Sequence, residues 1–359
     1  MNNKPLVIKT SPENPDISGL KTAARILREG GIVAFPTETV YGLGAIYDNS
    51  QAVLKVYRVK GRPIENPLIL HIASKDWISA VSCDIPPHAL KLADKFWPGP
   101  LTMILHKSPS VPEIVTAGLP KVAVRMPAHP IAELLIKEVG KPIAAPSANK
   151  SGRPSPTSAQ HVLEDFDGEI DAIIDGGETL HGVESTILDL TSWPPVLVRP
   201  GALPVEELEK VLDVKIIIPE FARGLGEAEV AVAPGTKFRH YAPRAKMVLV
   251  EADNYEDISK LVKKVREIAH EKVLDGYRIG ILCSEETANF YKDLGVVVSL
   301  GSRKNLFIVA RNLFSALRLM DREGVDFIIA EGFEERGLGL TVMNRLRKAS
   351  GFNIIKTDP

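Results

Sequence analysis

The sequence predicts an α/β protein of two domains, a larger one built on a mixed sheet and a smaller, Rossmann-like one. Three observations carry this. Along the first two hundred residues short apolar strands alternate with amphipathic helical segments, yet some strands follow one another directly, which suits a mixed sheet. From Met247 onward strand and helix alternate regularly, the pattern of a Rossmann-like α/β domain. A chain of 359 residues with 45% hydrophobic content is too long for one ordinary core and ample for two.

In the first domain Leu20, Ala23, Ala24 and Leu27 recur at helical spacing, and Gly30-Gly31 ends that helix. IVAF (32–35) reads as a buried strand leading into a loop, PTETVYGLGA, whose Gly42 and Gly44 allow close backbone approach or positive φ. Ser50 is expected to cap a second helix that turns Val53, Val56 and Tyr57 inward and stops at Gly61. Lys55, Arg58 and Arg62 fall on its other side and just beyond its end. Strands then follow at 68–73, 101–106, 122–126, 141–145, 172–175, 185–190 and 196–199, with a closing helix at 203–213. The boundaries expected are 1–213 for the first domain, 214–246 for a breaker-rich linker and 247–359 for the second domain. In the last, MVLVE, GILCS, VVVSL and FIIAEG are strands, and helices with apolar faces run from Ile258 to Ala269 and from Leu306 to Leu317.

Composition narrows the function classes. A formal net charge of −1 provides no domain-wide basic field to hold nucleic acid by counterion release. Two distant cysteines, Cys83 and Cys283, fit neither a disulfide framework nor a structural zinc site. The N-terminal segment lacks a signal-peptide core, and no apolar run reaches membrane-spanning length, so a cytoplasmic location is expected. No GxxxxGK[ST], GxGxxG or GxSxG motif occurs, and no protein nucleophile stands out.

What remains is a pattern of cations on strands. Period-two geometry sets Arg125 against Val122 and Val124, Arg199 against Val196 and Val198, and His71 against Leu68, Leu70 and Ile72. One sheet face can therefore collect Arg125, Arg199 and His71, an arrangement that is costly unless an anion neutralises it. An isolated strand-end arginine more often makes a structural ion pair. Three together, with Lys60 and Arg62 in KGRP, favour an anion pocket. The segment SANKSGRPSPTSAQHV (147–162) offers Ser147, Asn149, Ser151 and Ser155 as donors to phosphate or ribose, or is simply a polar loop. His106, His129 and His161 read as surface or capping histidines.

FPTETVYGLGA, KGRPIENPLILHI, FWPGPLTMIL, VAVRMP, APSANKSGRPSPT, VESTILDL and VLVRPGAL, in this order over residues 35–203, resemble the YrdC-like domain of threonylcarbamoyl-AMP synthases. The linker APGTKFRHYAPR and the Rossmann-like tail resemble the long, two-domain form of that family. Glu38 stands where many relatives have Asp. The resemblance implies a twisted mixed sheet with a concave basic cavity, and a reaction in which L-threonine, bicarbonate and ATP give threonylcarbamoyl-AMP and pyrophosphate. The product would pass to a tRNA threonylcarbamoyl-transfer complex, with no stable nucleic-acid binding and no membrane. It further implies that Lys60, Arg62 and Asn66 hold the ATP phosphates, with Mg²⁺ carried mainly by those phosphates and no direct protein ligand. Ser147, Asn149, Ser155 and Arg199 would complete the nucleotide site. Thr39, His71, Arg125, Ala145 and Ser185 would bind threonine, Arg125 pairing with its carboxylate, so that Lys60, Arg62 and Arg125 carry the catalysis. From the linker, Arg239, His240 and Tyr241 would reach back over the pocket as a lid. Rival readings are an RNA-binding module and a carbamoyltransferase with a similar domain. The net charge and the lack of aromatics among the cations speak against the first, and the missing zinc-binding cysteine pairs against the second.

Overall fold

The computed structural model describes residues 4–229, 231, 233–234 and 240–357. The chain divides into two compact units, one of Met1–Ser151, Ser155–Pro219 and Ala228–Lys237, the other of Gly152–Pro154, Glu220–Glu227 and Phe238–Pro359.

The first unit is organised by one eleven-stranded mixed sheet. Across it the strands run Leu6–Lys9, Ala172–Asp175, Val33–Phe35, Gly42–Ile46, Ile143–Ala145, Ile69–His71, Lys121–Arg125, Leu101–Lys107, Thr186–Asp189 and Val196–Arg199. Ser82–Cys83 pairs separately with Leu101–Lys107. The helix Ile17–Arg28 buries the four residues its spacing predicts, Leu20, Ala23, Ala24 and Leu27, and these join a core with Val33, Phe35, Leu135, Ile143 and Ile174. Asp16 caps it by accepting from the Ser18 amide.

Two local expectations need correction. The second helix, Ser50–Lys60, is capped by Asn49 rather than Ser50. The Asn49 side chain accepts from the amides of Gln51 and Ala52, both at 3.1 Å, so Ser50 is already the first helical residue. Gly61 does end the helix, in the left-handed conformation at φ 62°. The second correction concerns PTETVYGLGA. Its GLGAI portion is a strand, antiparallel to both Val33–Phe35 and Ile143–Ala145. Glycine weakens a strand read from propensity, but here it makes room. A Cβ on Gly44 would come within 2.5 Å of Ile143 Cγ2 and 2.8 Å of Phe35 Cε1. Neither Gly42 nor Gly44 has positive φ, so close approach is the property used.

The second unit holds a five-stranded, all-parallel sheet ordered Val296–Ser299, Ile279–Cys283, Phe327–Glu331, Lys246–Glu251 and Ile354–Lys356. Long amphipathic helices, Ser259–Leu274 and Leu306–Glu323, bury Leu261, Val265 and Ala269, and Val309, Leu313 and Leu317. Among the described residues no helix is long and apolar enough to cross a membrane.

Candidate active site

Strand register assembles the site. His71 is paired with Arg125, Arg125 with Thr102, Thr102 with Ile187, and Ile187 with Arg199. Register partners project to the same face, so this row carries both arginines and the histidine to one side of the sheet. The expectation from period two holds for all three, and they line one cavity. Thr37, Tyr41, Gly42, Ala145, Ser147, Glu184, Ser185 and Pro234 line it with them.

Arg125 is 4% exposed and already engaged. Its Nη1 donates to Thr39 Oγ1 at 2.9 Å, its Nε to the Gly99 carbonyl at 3.3 Å, and Nη2 lies 2.7 Å from Glu38 Oε1. The chain itself thus supplies the anion that a buried guanidinium requires. Burial alone would raise the pKa of Glu38, but the charge of Arg125 and the bond to it prevail and hold the carboxyl below its ordinary value. His71 is the converse case. Burial first, and the neighbouring Arg125 charge second, lower its pKa to about 3, so the ring is neutral at physiological pH. It meets Phe35 edge-on at 6.0 Å, and its Nδ1 is buried with no hydrogen-bond partner among the described residues.

The other end of the cavity is built around Arg199. This side chain donates from Nη2 to the Ser185 carbonyl at 2.9 Å and to Ser185 Oγ at 3.3 Å, and from Nη1 to the Pro234 carbonyl at 3.1 Å. Ser185 Oγ also lies 2.7 Å from Thr102 Oγ1. The backbone turns here without room for a side chain. A Cβ on Gly201 would sit 2.4 Å from both the Glu184 carbonyl and the Thr186 amide.

Lys60, Arg62, Asn66, Asn149 and Ser155 do not line the cavity, though Lys60 and Ser155 bond to its lining residues Ser147 and Glu184. In the cation-rich helix Lys55 and Arg58 are exposed, whereas Lys60 and Arg62 are buried. Lys60 Nζ donates to the carbonyls of Ser147, at 2.6 Å, and Asn149. Arg62 donates to the carbonyls of Asn66 and Pro67 at 3.0 and 2.9 Å. Ser147 Oγ donates to Asn149 Oδ1 at 2.5 Å, and Asn66 Oδ1 is buried without a partner among the described residues. Ser155 Oγ bonds Glu184 Oε1 at 2.7 Å. Arg239 lies outside the described residues. His240 and Tyr241 belong to the second unit, where Tyr241 stacks on Phe314 at 5.2 Å and lies under the Arg345 guanidinium at 4.9 Å.

Sequence reasoning passed over Glu38, Glu184, Thr37 and Tyr41. All four stand inside or beside motifs it singled out, but only the fold reveals Glu38 against Arg125 and Glu184 against Ser155. Two histidines set aside as surface or capping groups are buried. His129 holds the N-cap position of Pro130–Val139 without a side-chain cap, and His161 Nδ1 accepts from the Thr157 amide at 3.2 Å.

An arginine-lined cavity on a mixed sheet, with serine and threonine hydroxyls beside the guanidiniums, is the arrangement of the YrdC-like class of enzyme. Residues 25–201 match the family model described as Telomere recombination, and residues 203–351 match the one described as Threonylcarbamoyl-AMP synthase, C-terminal domain. The chain belongs to the threonylcarbamoyl-AMP synthase family. It is 53% identical to the threonylcarbamoyl-AMP synthase of Pyrococcus abyssi, over 94% of this chain and 95% of that one. It is 46% identical to that of Bacillus subtilis, over 96% of each. The crystal structure of Pyrococcus abyssi Sua5 complexed with L-threonine superposes with a TM-score of 0.92 at 52% identity, covering 98% of this chain and all of that one.

Proposed function

We propose that the protein converts L-threonine, bicarbonate and ATP into threonylcarbamoyl-AMP and pyrophosphate. The observation that carries this reading is the single cavity joining the Arg125–Thr39–His71 group to the Arg199–Ser185–Ser147 group. Threonine occupies the first, with its carboxylate towards the N–H groups of Arg125 not spent on Gly99, Thr39 and Glu38, and Ala145 and Ser185 complete its contacts. The neutral His71 ring offers an acceptor or donor without adding charge. The nucleotide occupies the second, with Arg199, Ser147, Asn149 and Ser155 around it and Lys60, Arg62 and Asn66 towards the phosphates.

No side chain needs to attack. The threonine amine adds to carbon dioxide with loss of a proton, or to bicarbonate with loss of one water that carries that proton away. The carbamate oxygen so formed attacks the α-phosphorus, and pyrophosphate leaves with the electrons of the broken P–O bond. The protein's part is to orient two charged substrates and to stabilise charge that accumulates on the phosphoryl oxygens, work suited to fixed arginines and lysines. Of the described residues lining the cavity only Glu184 is a carboxylate, and Ser155 already bonds it. Magnesium therefore fits as an ion held by the substrate's phosphates, neutralising them when bound. Segment 214–246 serves as a linker, with Arg239, His240 and Tyr241 excluding water from the labile product. The product goes on to a tRNA threonylcarbamoyl-transfer system in the cytoplasm.

Pyrophosphate release, measured with ATP and magnesium while threonine and bicarbonate are omitted in turn, tests the reading. Dependence on both is expected, and release that ignores either one refutes it.

A further inference from the structure

The second unit contains a cavity of its own. In its sheet Phe327–Glu331 and Lys246–Glu251 are neighbours, yet the chain leaves them in opposite directions. The first continues through Leu338–Ala349 to the strand Ile354–Lys356, the second through Ser259–Leu274 to Ile279–Cys283 on the far side. Right-handed crossovers put such connections on opposite faces, so the loops beyond the two strand ends part and leave a crevice. Asp253, Tyr255, Glu256, Arg303, Glu334 and Arg336 are among the residues that line the crevice.

Its wall is built with care that stability does not require. Glu331, wholly buried, accepts from the Ser284 amide at 3.1 Å, Thr287 Oγ1 at 2.8 Å, Tyr291 Oη at 2.5 Å and Arg303 Nη2 at 2.6 Å. Arg303 donates further, from Nε to Ser284 Oγ at 3.0 Å and from Nη1 to the Gly332 carbonyl at 2.8 Å. Its guanidinium lies 5.5 Å from the Tyr255 ring and 4.6 Å from the Phe333 ring. A buried ion pair rarely improves on apolar packing, so such a network is better understood as fixing a group in place. The group fixed is a flat guanidinium beside an aromatic ring, on the crevice wall. Gly332 makes the arrangement possible, since a Cβ there would stand 2.4 Å from the Tyr255 hydroxyl.

The rim selects the ligand. Glu256 and Glu334 are exposed, and among the described residues neither carboxylate has an ion pair or hydrogen bond. With Asp253 and the buried Glu331 they outnumber the two guanidiniums, Arg303 and Arg336, even after Lys356 pairs with Asp253 at 3.0 Å. That balance repels a polyphosphate and leaves acceptors for neutral hydroxyls. A flat cationic and aromatic wall takes a planar heterocycle, and carboxylates at its edge take sugar hydroxyls. We propose that this crevice is a second ligand site, separate from the arginine-lined cavity, and that it binds a nucleoside through its ring and ribose hydroxyls.

Equilibrium dialysis of labelled adenosine against the full chain tests this, with 2′,3′-dideoxyadenosine as the comparison and the exposed double variant Glu256→Gln/Glu334→Gln alongside. Losing a hydrogen bond to a charged acceptor weakens binding by about 10- to 100-fold. Adenosine is expected to bind the parent chain and to lose affinity to that extent in the double variant, whose melting curve should match the parent's. Dideoxyadenosine should bind the parent as weakly as adenosine binds the variant. Tyr255→Leu, which keeps every charge, should weaken both nucleosides. Absence of adenosine binding, or equal binding by parent and double variant, overturns the proposal.

Discussion

Glu38→Gln separates two roles that the buried ion pair could play. Both partners are 4% exposed and 2.7 Å apart, so Glu38 neutralises Arg125 in the absence of substrate. Removing one member of such a pair leaves a buried charge uncompensated, at a cost of about 3–5 kcal/mol in folding stability. With threonine placed as proposed, the same substitution removes the carboxylate that would compete with threonine's for one guanidinium. Two carboxylates sharing that site repel by about 2–4 kcal/mol at an effective dielectric near 20. The unliganded variant should therefore melt well below the parent, while threonine recovers more stability than it gives the parent and binds at least tenfold more tightly. Thermal melts over a threonine titration, with isothermal calorimetry for affinity, read both quantities. Weaker threonine binding in the variant would refute the competition and make Glu38 an orienting partner of Arg125.

Three further outcomes follow from the site. Arg199→Ala, which removes the bonds to Ser185 and Pro234, should lower kcat/KM for ATP by about 10- to 100-fold with a smaller effect on threonine; steady-state kinetics with each substrate varied checks the asymmetry. His71 has a folded pKa near 3 against an ordinary 6.5, so the folded state favours the neutral ring. The stability this provides is complete above pH 6.5 and is lost as pH falls towards 3, up to about 5 kcal/mol in all. Denaturant unfolding at pH 7, 5 and 4 should show this slope in the parent, and a His71→Gln variant of equal slope would contradict it. A chain ending at residue 230 lacks Pro234 and the segment through Tyr241, and should lose synthesis rate and product lifetime together. Full rate and lifetime in that truncation would dismiss the lid.

How legible the site was depended on the range of the interaction. Alternation within a single strand suffices to orient Arg125, Arg199 and His71, and the cavity they line follows from three local patterns read together. Apolar spacing likewise located Ile17–Arg28 and Leu306–Glu323. Glu38 was harder, because a carboxylate in a turn motif gives no sign of a partner 87 residues away until the strands are in register. The strand Gly42–Ile46 was hidden because glycine is there for what it lacks, and only Phe35 and Ile143 reveal why. Asn49 and Ser50 are both good cap residues in adjacent positions, and the backbone, not the side-chain chemistry, chose between them.

The row from His71 to Arg199 has a consequence for how this protein comes to life. Its five members come from segments spread over some 130 positions of chain, and a one-residue slip in any pairing would turn a side chain to the far surface. If this row holds substrate as proposed, a half-built precursor binds none, since helices form early while the distant pairings are still being made. During refolding, recovery of threonine affinity should trail recovery of helical signal, making ligand capture a stringent reporter of a finished sheet.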